Sequence, residues 1–221
     1  MIDQGYAIHA GAFSRDEMRS IAASLEVADL PRSRAGARHA LACESVSHLA
    51  GDSRMIDLAS RWLGARAIPF KATLFDKSPD ANWLVAWHQD TALPMEAHGA
   101  AQGWGPWSEK YGVNYAHAPA RVLENIVALR VHLDDSTAEN GSLRVLPGTH
   151  TRGVLADEQV YELAKRIGPV DCHVAAGGIL AMRPLIVHAS SKIAAPVSRR
   201  VLHFEYSGTL EPEPGLRLRV A

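Results

Sequence analysis

Features that define several protein classes are missing from this 221-residue sequence. It contains only two cysteines, Cys43 and Cys172, so neither a disulfide framework nor a four-cysteine zinc site is available. No apolar run approaches the roughly 18 residues of a membrane-spanning helix. The formal net charge is −1 and the pI is about 6.8, which gives no electrostatic reason to expect nucleic acid or an anionic membrane as a partner.

The amino-terminal residues lack the basic and apolar segments of a secretory signal peptide, so we expect a cytoplasmic protein. Hydrophobic residues make up 47% of the chain and charged residues 21%, the balance of a globular protein with one substantial core. At this length we expect a single domain over residues 1–221.

Three segments have the apolar spacing of amphipathic helices. Residues 14–26 begin with capping-box spacing between Ser14 and Glu17, and residues 53–63 end before Gly64. Residues 157–168 carry acids at the start and bases at the end, which matches the helix dipole.

Strand patterns dominate the rest of the chain, at residues 69–77, 82–90, 125–135, 142–150, 179–190 and 199–207. Asn140-Gly141, between two of these runs, is a hairpin-turn signal, and Gly177-Gly178 is a second predicted turn. We therefore expect a mainly β protein with flanking helices (α+β), whose antiparallel strands close as a sandwich or barrel.

Residues 91–123 depart from this pattern, with four glycines, three prolines, two tryptophans and two tyrosines but no clean period. A loop of this length is usually functional or disordered, and disordered loops are poor in aromatic residues. We therefore expect an ordered lid or substrate-binding loop. Its aromatic side chains are candidates for substrate contact: Trp104, Trp107, Tyr111 and Tyr115.

Alternation along the strands separates an apolar face from a face of mixed polar residues. In the last strand Arg199, His203 and Glu205 oppose an apolar face, and in the strand at 125–135 Arg130 and His132 do so. In the strand at 82–90 the same rule groups Asn82, Leu84, Ala86, His88 and Asp90 against Trp83, Val85 and Trp87. A solvent face would be rich in Lys, Glu and Thr, so this composition favours a polar-lined cavity.

A His-x-Asp pair, His88 and Asp90, presents two possible metal ligands on one side of a strand. His188, at the end of another apolar run, adds a second imidazole. Two histidines and one carboxylate form the facial triad that holds non-haem Fe(II) and leaves coordination positions open. Arg199, at the start of the next strand, has the planar fork that grips a carboxylate, and Ser190 adds a hydroxyl donor.

The motifs "AWHQD", "ENGSLRVLPGTH", "LIVHASSK" and "SRRVLHFEY" resemble those of the phytanoyl-CoA dioxygenase family of Fe(II)/2-oxoglutarate oxygenases, as does the amino-terminal "GYAIHAGAFSRDEM". The resemblance implies a double-stranded β-helix core (jelly-roll, cupin-like), and Fe(II), 2-oxoglutarate and O2 as cofactor and co-substrates. It implies His88, Asp90 and His188 as catalytic iron ligands. It also implies that Arg199 and Ser190 bind the distal carboxylate of 2-oxoglutarate, with Thr73 and Arg130 as further co-substrate contacts.

We therefore expect a dioxygenase that hydroxylates a C–H bond of a small molecule and releases succinate and CO2. Family halogenases have a small residue in place of the acidic ligand, so Asp90 favours hydroxylation. Two alternatives remain open: a cupin-like hydrolase or isomerase that uses the same triad with zinc or manganese, and a non-catalytic small-molecule binding protein. His132 and His203 are either hydrogen-bond donors beside the site or buried core histidines.

Overall fold

The computed structural model describes residues 4–194 and 197–221. Its helices are α1 Arg15–Val27, α2 Glu44–Ala50, α3 Ser53–Leu63, α4 Ala120–Leu123 and α5 Asp157–Arg166. Its strands are β1 Tyr6–His9, β2 Arg32–Ser33, β3 Gly36–Ala37, β4 Ile68–Lys77, β5 Val85–His88, β6 Ala92–Met95, β7 Trp107–Lys110, β8 Val113–His117, β9 Ile126–His132, β10 Leu143–Val145, β11 Val170–Cys172, β12 Ile179–Met182, β13 His188–Ser190 and β14 Arg199–Ser207. Among the described residues, no helix is both long and apolar enough to cross a membrane.

The strands form three antiparallel sheets. A seven-stranded sheet has the order β1-β12-β9-β14-β4-β3-β2, and a four-stranded sheet has the order β11-β10-β13-β5. Residues of both sheets line one internal cavity, so the two sheets face each other. The third sheet, β6-β8-β7, has three strands. This is the mainly β, jelly-roll architecture that the sequence predicts.

The outer face of the seven-stranded sheet packs against α1, α2 and α3. These three helices and the sheet share one buried apolar cluster, which includes Val127, Leu129 and Val131 of β9 and Leu202 and Phe204 of β14. The alternate residues of the same strands, among them Arg130, His203 and Glu205, are buried on the other side of the sheet. The predicted alternation is therefore confirmed for β9 and β14, and it places polar groups between the sheets.

The predicted helices are confirmed at their starts. Glu17 donates its backbone N–H to the Ser14 hydroxyl at 3.2 Å, and the Glu17 carboxylate accepts from the Ser14 N–H at 2.6 Å, which is a capping box. Helix α3 spans the predicted residues and ends at Gly64, whose φ of +67° suits glycine. Helix α5 begins as predicted and ends at Arg166, two residues early.

The run at 179–190, predicted as one strand, is two strands in different sheets. Strand β12 ends at Met182 and β13 begins at His188. Pro184 lies between them, where it cannot donate a ladder hydrogen bond, and Ile186 donates its N–H to the Arg183 carbonyl at 3.1 Å in a turn. The chain therefore crosses from one sheet to the other just before His188.

The hairpin predicted at Asn140-Gly141 is wrong, because the flanking strands β9 and β10 belong to different sheets. The turn itself is present, and Gly141 has a φ of +68°. The Asn140 side chain accepts from the Thr137 N–H at 2.8 Å and donates to the Asp135 carbonyl at 2.7 Å. These bonds close a loop that links the sheets instead of a hairpin within one.

Residues 91–123, predicted as a loop, contain the three strands β6, β7 and β8. Tyr111 and Gly112 join β7 to β8 with φ angles of +52° and +74°, the left-handed pair typical of a two-residue hairpin turn. The aromatic residues thus belong to a small ordered sheet. A lid function for this segment stays a prediction.

Candidate metal and co-substrate site

Three side chains from two segments meet between the sheets. His88 closes β5, His188 opens β13, and the two are direct partners across the antiparallel pair. Asp90 follows β5, where its N–H donates to the Pro184 carbonyl at 3.0 Å. The Asp90 carboxylate oxygens lie 3.5 Å from His88 Nε2 and 3.5 Å from His188 Nε2. The donor atoms all lie within 4.8 Å of one another, which is close enough to share one metal ion.

Both imidazoles are oriented by backbone carbonyls. His88 Nδ1 lies 2.8 Å from the Ala86 oxygen, and His188 Nδ1 lies 2.9 Å from the Ile186 oxygen. A carbonyl only accepts, so each Nδ1 carries a proton, and in the neutral form of each ring Nε2 keeps its lone pair. Both lone pairs are directed toward Asp90. This tautomer is the one that a metal-binding histidine needs, so the donor set fits Fe(II).

The electrostatics favour an ionised Asp90 and a neutral His188, and they favour the protonated form of His88. Burial opposes ionisation of Asp90, but His188 and His88 hold the pKa of its carboxyl well below the usual value. Burial lowers the pKa of His188 to about 3, so its ring is neutral. For His88 burial is the largest single effect and acts in the same direction, but the hydrogen bond to Asp90, the charge of Asp90 and the hydrogen bond to Ala86 together outweigh it and raise the pKa.

One face prediction in the strand at 82–90 is wrong. His188 pairs with His88 and Ser190 pairs with Val85, so β5 has one extra residue between these pairs, a β-bulge. The extra residue reverses the alternation. Val85 and Trp83 consequently line the cavity with His88, while Leu84, predicted to share the His88 face, is exposed.

A cavity beside the triad, here called the co-substrate cavity, contains three cationic side chains, Lys77, Arg130 and Arg199. Arg199 is 3% exposed; its Nε donates to the Asn140 carbonyl at 3.2 Å, and one terminal nitrogen lies 3.4 Å from the Ser190 hydroxyl. The other terminal nitrogen has no hydrogen-bond partner among the described residues. A buried, unpaired N–H of this kind suits an anionic ligand.

Lys77 is a site residue that the sequence interpretation missed. Its Nζ donates to the Ser190 hydroxyl and to the Ser191 carbonyl, each at 2.7 Å. Burial, together with Arg199 and Arg130, lowers the pKa of Lys77 to about 8. Lys77 lies directly opposite Arg199 in the β4–β14 pair. Alternation from Thr73 along β4 would have placed it on the inner face.

His203 links the co-substrate cavity to a buried ion pair. Arg130 donates to His203 Nδ1 at 2.9 Å, so the ring proton lies on Nε2, which is 3.3 Å from Glu205 and 3.9 Å from Asp90. Glu205 also accepts from Lys71 at 2.7 Å. His203 therefore donates a hydrogen bond beside the triad, one of the two roles predicted for it.

His132 is buried, and neither ring nitrogen has a hydrogen-bond partner within the described part of the chain. Burial, with Arg130 and Arg199, lowers its pKa well below the usual value, so the ring is neutral. Of the pair His132 and His203, His132 is therefore the buried core histidine.

A family model described as phytanoyl-CoA dioxygenase matches residues 2–201. The chain belongs to this family. A search of curated proteins finds no match. The family assignment agrees with the cofactors predicted from the sequence, Fe(II), 2-oxoglutarate and O2, which the donor set of His88, Asp90 and His188 fits.

Solved structures of similar fold contain 2-oxoglutarate, and two of the three named here also contain a metal ion. The epimerase SnoN, in complex with Fe3+, alpha-ketoglutarate and nogalamycin RO, is 19% identical, with a TM-score of 0.72 over 99% of this chain and 82% of that chain. HygX from Streptomyces hygroscopicus, with nickel, 2-oxoglutarate and hygromycin B, is 18% identical, with a TM-score of 0.67 over 94% and 84%. EctD from S. alaskensis, with 2-oxoglutarate and 5-hydroxyectoine, is 20% identical, with a TM-score of 0.68 over 96% and 78%. At these identities the likeness shows the fold.

Thr73 does not line the co-substrate cavity of this family member. It lies on the inner face of β4 and lines a second cavity, which also contains Asp90 and His203. Arg130, Ser190 and Arg199 therefore line the co-substrate cavity and Thr73 lines its neighbour, and all four co-substrate contacts stay predictions.

Of the four aromatic residues predicted to contact substrate, only Tyr115 lines this second cavity. Trp104 donates its indole N–H to Glu213 at 2.8 Å, and Trp107 stacks on His98 with ring centroids 4.5 Å apart. Tyr111 is exposed and donates to the Arg32 carbonyl at 3.1 Å. These three residues anchor the small sheet and the segments around it.

Proposed function

We propose that the protein is an Fe(II)/2-oxoglutarate-dependent dioxygenase that hydroxylates a C–H bond of a small organic molecule. The observation that carries this proposal is the convergence of two imidazoles and a carboxylate beside a cavity with three buried cations. Bound Fe(II) with 2-oxoglutarate and O2 supplies the oxidation, in which 2-oxoglutarate becomes succinate and CO2 while one oxygen atom enters succinate and the other enters the substrate C–H bond.

His88, Asp90 and His188 would hold the iron. The Ala86 and Ile186 carbonyls fix both imidazoles with Nε2 inward, so the ligands need little reorganisation when the metal binds. Asp90 supplies the carboxylate that favours hydroxylation over halogenation.

Arg199, Lys77 and Ser190 would hold the distal carboxylate of 2-oxoglutarate. Arg199 offers an N–H that has no partner in the described part of the chain. The Ser190 hydroxyl, which donates to the Gly141 carbonyl at 2.9 Å, fixes the position of the Lys77 ammonium. A dianion would offset the repulsion among the three cations of the cavity. Phe75, Trp83 and Leu143 form apolar walls of this region.

The test measures succinate formation from 2-oxoglutarate by the purified protein with and without Fe(II). Wild type should require iron, and Asp90→Ala and His188→Ala should lose more than 90% of the activity. The surface variants Asp57→Ala and His173→Ala are matched controls and should behave as wild type, because both side chains are exposed. Equal succinate formation after complete removal of iron would contradict the proposal.

Two further measurements separate the alternatives. A hydrolase or isomerase on the same triad would have no use for an acidic co-substrate, so Arg199→Ala should leave it active, whereas the proposed dioxygenase should lose 2-oxoglutarate turnover. Hydroxylation requires a product heavier than the substrate by one oxygen atom, labelled from 18O2. Substrate-dependent succinate formation with an unlabelled product of unchanged mass would refute hydroxylation and leave the family assignment intact.

A further inference from the structure

A second cavity also contains Asp90 of the triad, and Arg199 is not among the residues that line it. It measures about 230 Å³ and shares Asp90 and Phe75 with the co-substrate cavity. Drug-sized ligands usually occupy about 300–1,000 Å³, so this space suits a small molecule. Because Asp90 forms part of its wall, a molecule bound here lies beside the proposed iron site.

Three cationic side chains from separate segments meet in this cavity: Arg38 after β3, Lys71 on β4 and Lys110 at the end of β7. Lysines and arginines usually extend into solvent. Here the Lys71 side chain is only 13% exposed, and Arg38 and Lys110 are half-buried. The fold therefore brings these three charges together in the wall of one cavity instead of spreading them over the protein surface.

The acidic groups of the cavity do not balance the cations. Glu205 accepts from both Lys71 and His203, so its charge is already paired with Lys71. Asp90 is committed to the proposed metal site. Within the described ranges, neither Arg38 nor Lys110 has an acidic partner within 4.0 Å, so the two carry unpaired positive charge.

The surroundings of Lys110 reflect this excess. Its Nζ lies over the Tyr115 ring, 4.8 Å from the ring centroid, and the Lys71 Nζ lies 5.9 Å from the same centroid. Burial lowers the pKa of Lys110, and the charges of Arg38 and Lys71 lower it further. An anion placed between these groups would remove the repulsion and gain charge-assisted hydrogen bonds.

We infer that this second cavity, which we call the anion cavity, binds a carboxylate or phosphate group of the substrate through Arg38 and Lys110. The inference rests on the proposed function and specifies its substrate class: a small organic acid or phosphate ester whose reactive C–H bond lies next to Asp90. Lys71, held by Glu205, adds to the positive field, and Tyr115 forms an aromatic wall.

The test uses probes small enough to enter the cavity without knowledge of the substrate. Trifluoroacetate stands for the carboxylate, methylphosphonate for the phosphate, and trifluoroethanol for a neutral group of similar size. Each is added under argon to the protein loaded with Fe(II) and saturating 2-oxoglutarate, which keeps Arg199 occupied. Paramagnetic broadening of the 19F or 31P resonance reports a probe held near the iron.

We expect broadening of at least one anionic probe, and its identity distinguishes a carboxylate from a phosphate substrate; trifluoroethanol should stay sharp. Arg38→Gln and Lys110→Gln should each raise the half-saturating concentration about 10-fold, since each removes one charged hydrogen-bond donor. Arg34→Gln and Lys165→Gln, exposed charges outside the cavity, should match wild type.

Sharp resonances for both anionic probes, or equal broadening in wild type and the two cavity variants, would overturn the anion cavity. So would equal broadening by trifluoroethanol. The visible absorption of the Fe(II)–2-oxoglutarate chelate is recorded on the same samples. A protein that forms the chelate but leaves the probes sharp refutes the anion cavity alone, whereas a protein that forms no chelate refutes the proposed function beneath it.

Discussion

Arg199 should make the protein less stable when no co-substrate is bound, and Arg199→Met tests this expectation. The guanidinium is 3% exposed and has no carboxylate partner within 4.0 Å among the described residues. Burial, followed by the charge of Arg130, lowers its pKa to about 10. A free arginine has a pKa of at least about 12.5, and one pKa unit corresponds to about 1.4 kcal/mol. Holding the charge in place therefore costs about 3 kcal/mol.

Methionine has a similar length and no charge, so the substitution removes this cost. It also leaves the Asn140 carbonyl without the Arg199 hydrogen bond, a loss of about 1 kcal/mol. The net gain for the ligand-free variant is about 2 kcal/mol. In a protein of this size we expect Tm to rise by roughly 4–8 °C.

Saturating 2-oxoglutarate should reverse the order of stability, so that wild type becomes more stable than Arg199→Met. At 1,000 times Kd a ligand that binds only the folded state stabilises it by about 4 kcal/mol, and only wild type would receive this contribution. Wild type with Fe(II) and 2-oxoglutarate should then be about 2 kcal/mol more stable than Arg199→Met under the same conditions. A stability lost through a packing defect would not change sign in this way.

Thermal unfolding under argon, with Fe(II) and with or without 2-oxoglutarate, measures both differences. Arg200→Met is the matched control, because Arg200 pairs with Asp134 at 2.9 Å. It should lower Tm in both conditions and keep the full response to 2-oxoglutarate. An Arg199→Met protein that is less stable than wild type without co-substrate, or that responds equally to it, would refute the reasoning.

Three other outcomes are expected. The pKa of His88 is raised, and iron needs the neutral ring. As the pH is lowered, Fe(II) affinity measured by equilibrium dialysis should therefore fall about tenfold per pH unit once His88 is protonated. An unchanged affinity between pH 8 and 6 would contradict this. Because the pKa of Lys77 is about 8, 2-oxoglutarate affinity should fall as pH rises through 8 in wild type but not in Lys77→Met; parallel titration curves would argue against a Lys77 contact. In Gly177→Ala the added Cβ would collide with the Phe13 carbonyl, whereas Gly11→Ala has open space at a similar φ. Gly177→Ala should therefore lower the free energy of unfolding by about 2 kcal/mol more than Gly11→Ala does. Equal losses of this free energy in urea denaturation would count against the close approach at Gly177.

The alternation in β9 and β14 could be predicted because each strand has helices on one side and a cavity on the other. The apolar residues therefore fall strictly on alternate positions, and the polar ones identify the inner face. The same logic located His88, Asp90 and His188, since residues two apart point the same way and both histidines lie at strand ends. The local sequence pattern was sufficient to predict which way a side chain points wherever a single strand determines that orientation.

The local sequence pattern was insufficient where the orientation of a side chain depends on how its strand pairs with a neighbour. The β-bulge between β5 and β13 exists only in their pairing, and it reverses the predicted faces of Trp83 and Leu84. The Asn140-Gly141 turn has a hairpin sequence, yet the choice between a hairpin and a crossing loop is made by which sheet the next strand joins. Such information is not contained in a window of neighbouring residues.

The cavity-lining cations that the sequence interpretation missed are two lysines and one arginine. Lys77 gains its role from pairing opposite Arg199, and Lys110 and Arg38 meet only because distant segments fold over the same cavity. In sequence each looks like an ordinary solvated charge. Their burial, and the lack of an acidic partner for each of them among the described residues, are properties of the fold and distinguish them.

The most direct test of the central claim is an anaerobic titration of the protein with Fe(II) followed by 2-oxoglutarate, with the visible charge-transfer absorption of the chelate as readout. If His88, Asp90 and His188 hold one iron beside Arg199, the absorption should saturate at one Fe(II) and one 2-oxoglutarate per chain and should be absent from His188→Ala. A wild-type protein without this absorption, or a His188→Ala protein that keeps it in full, would contradict the claim.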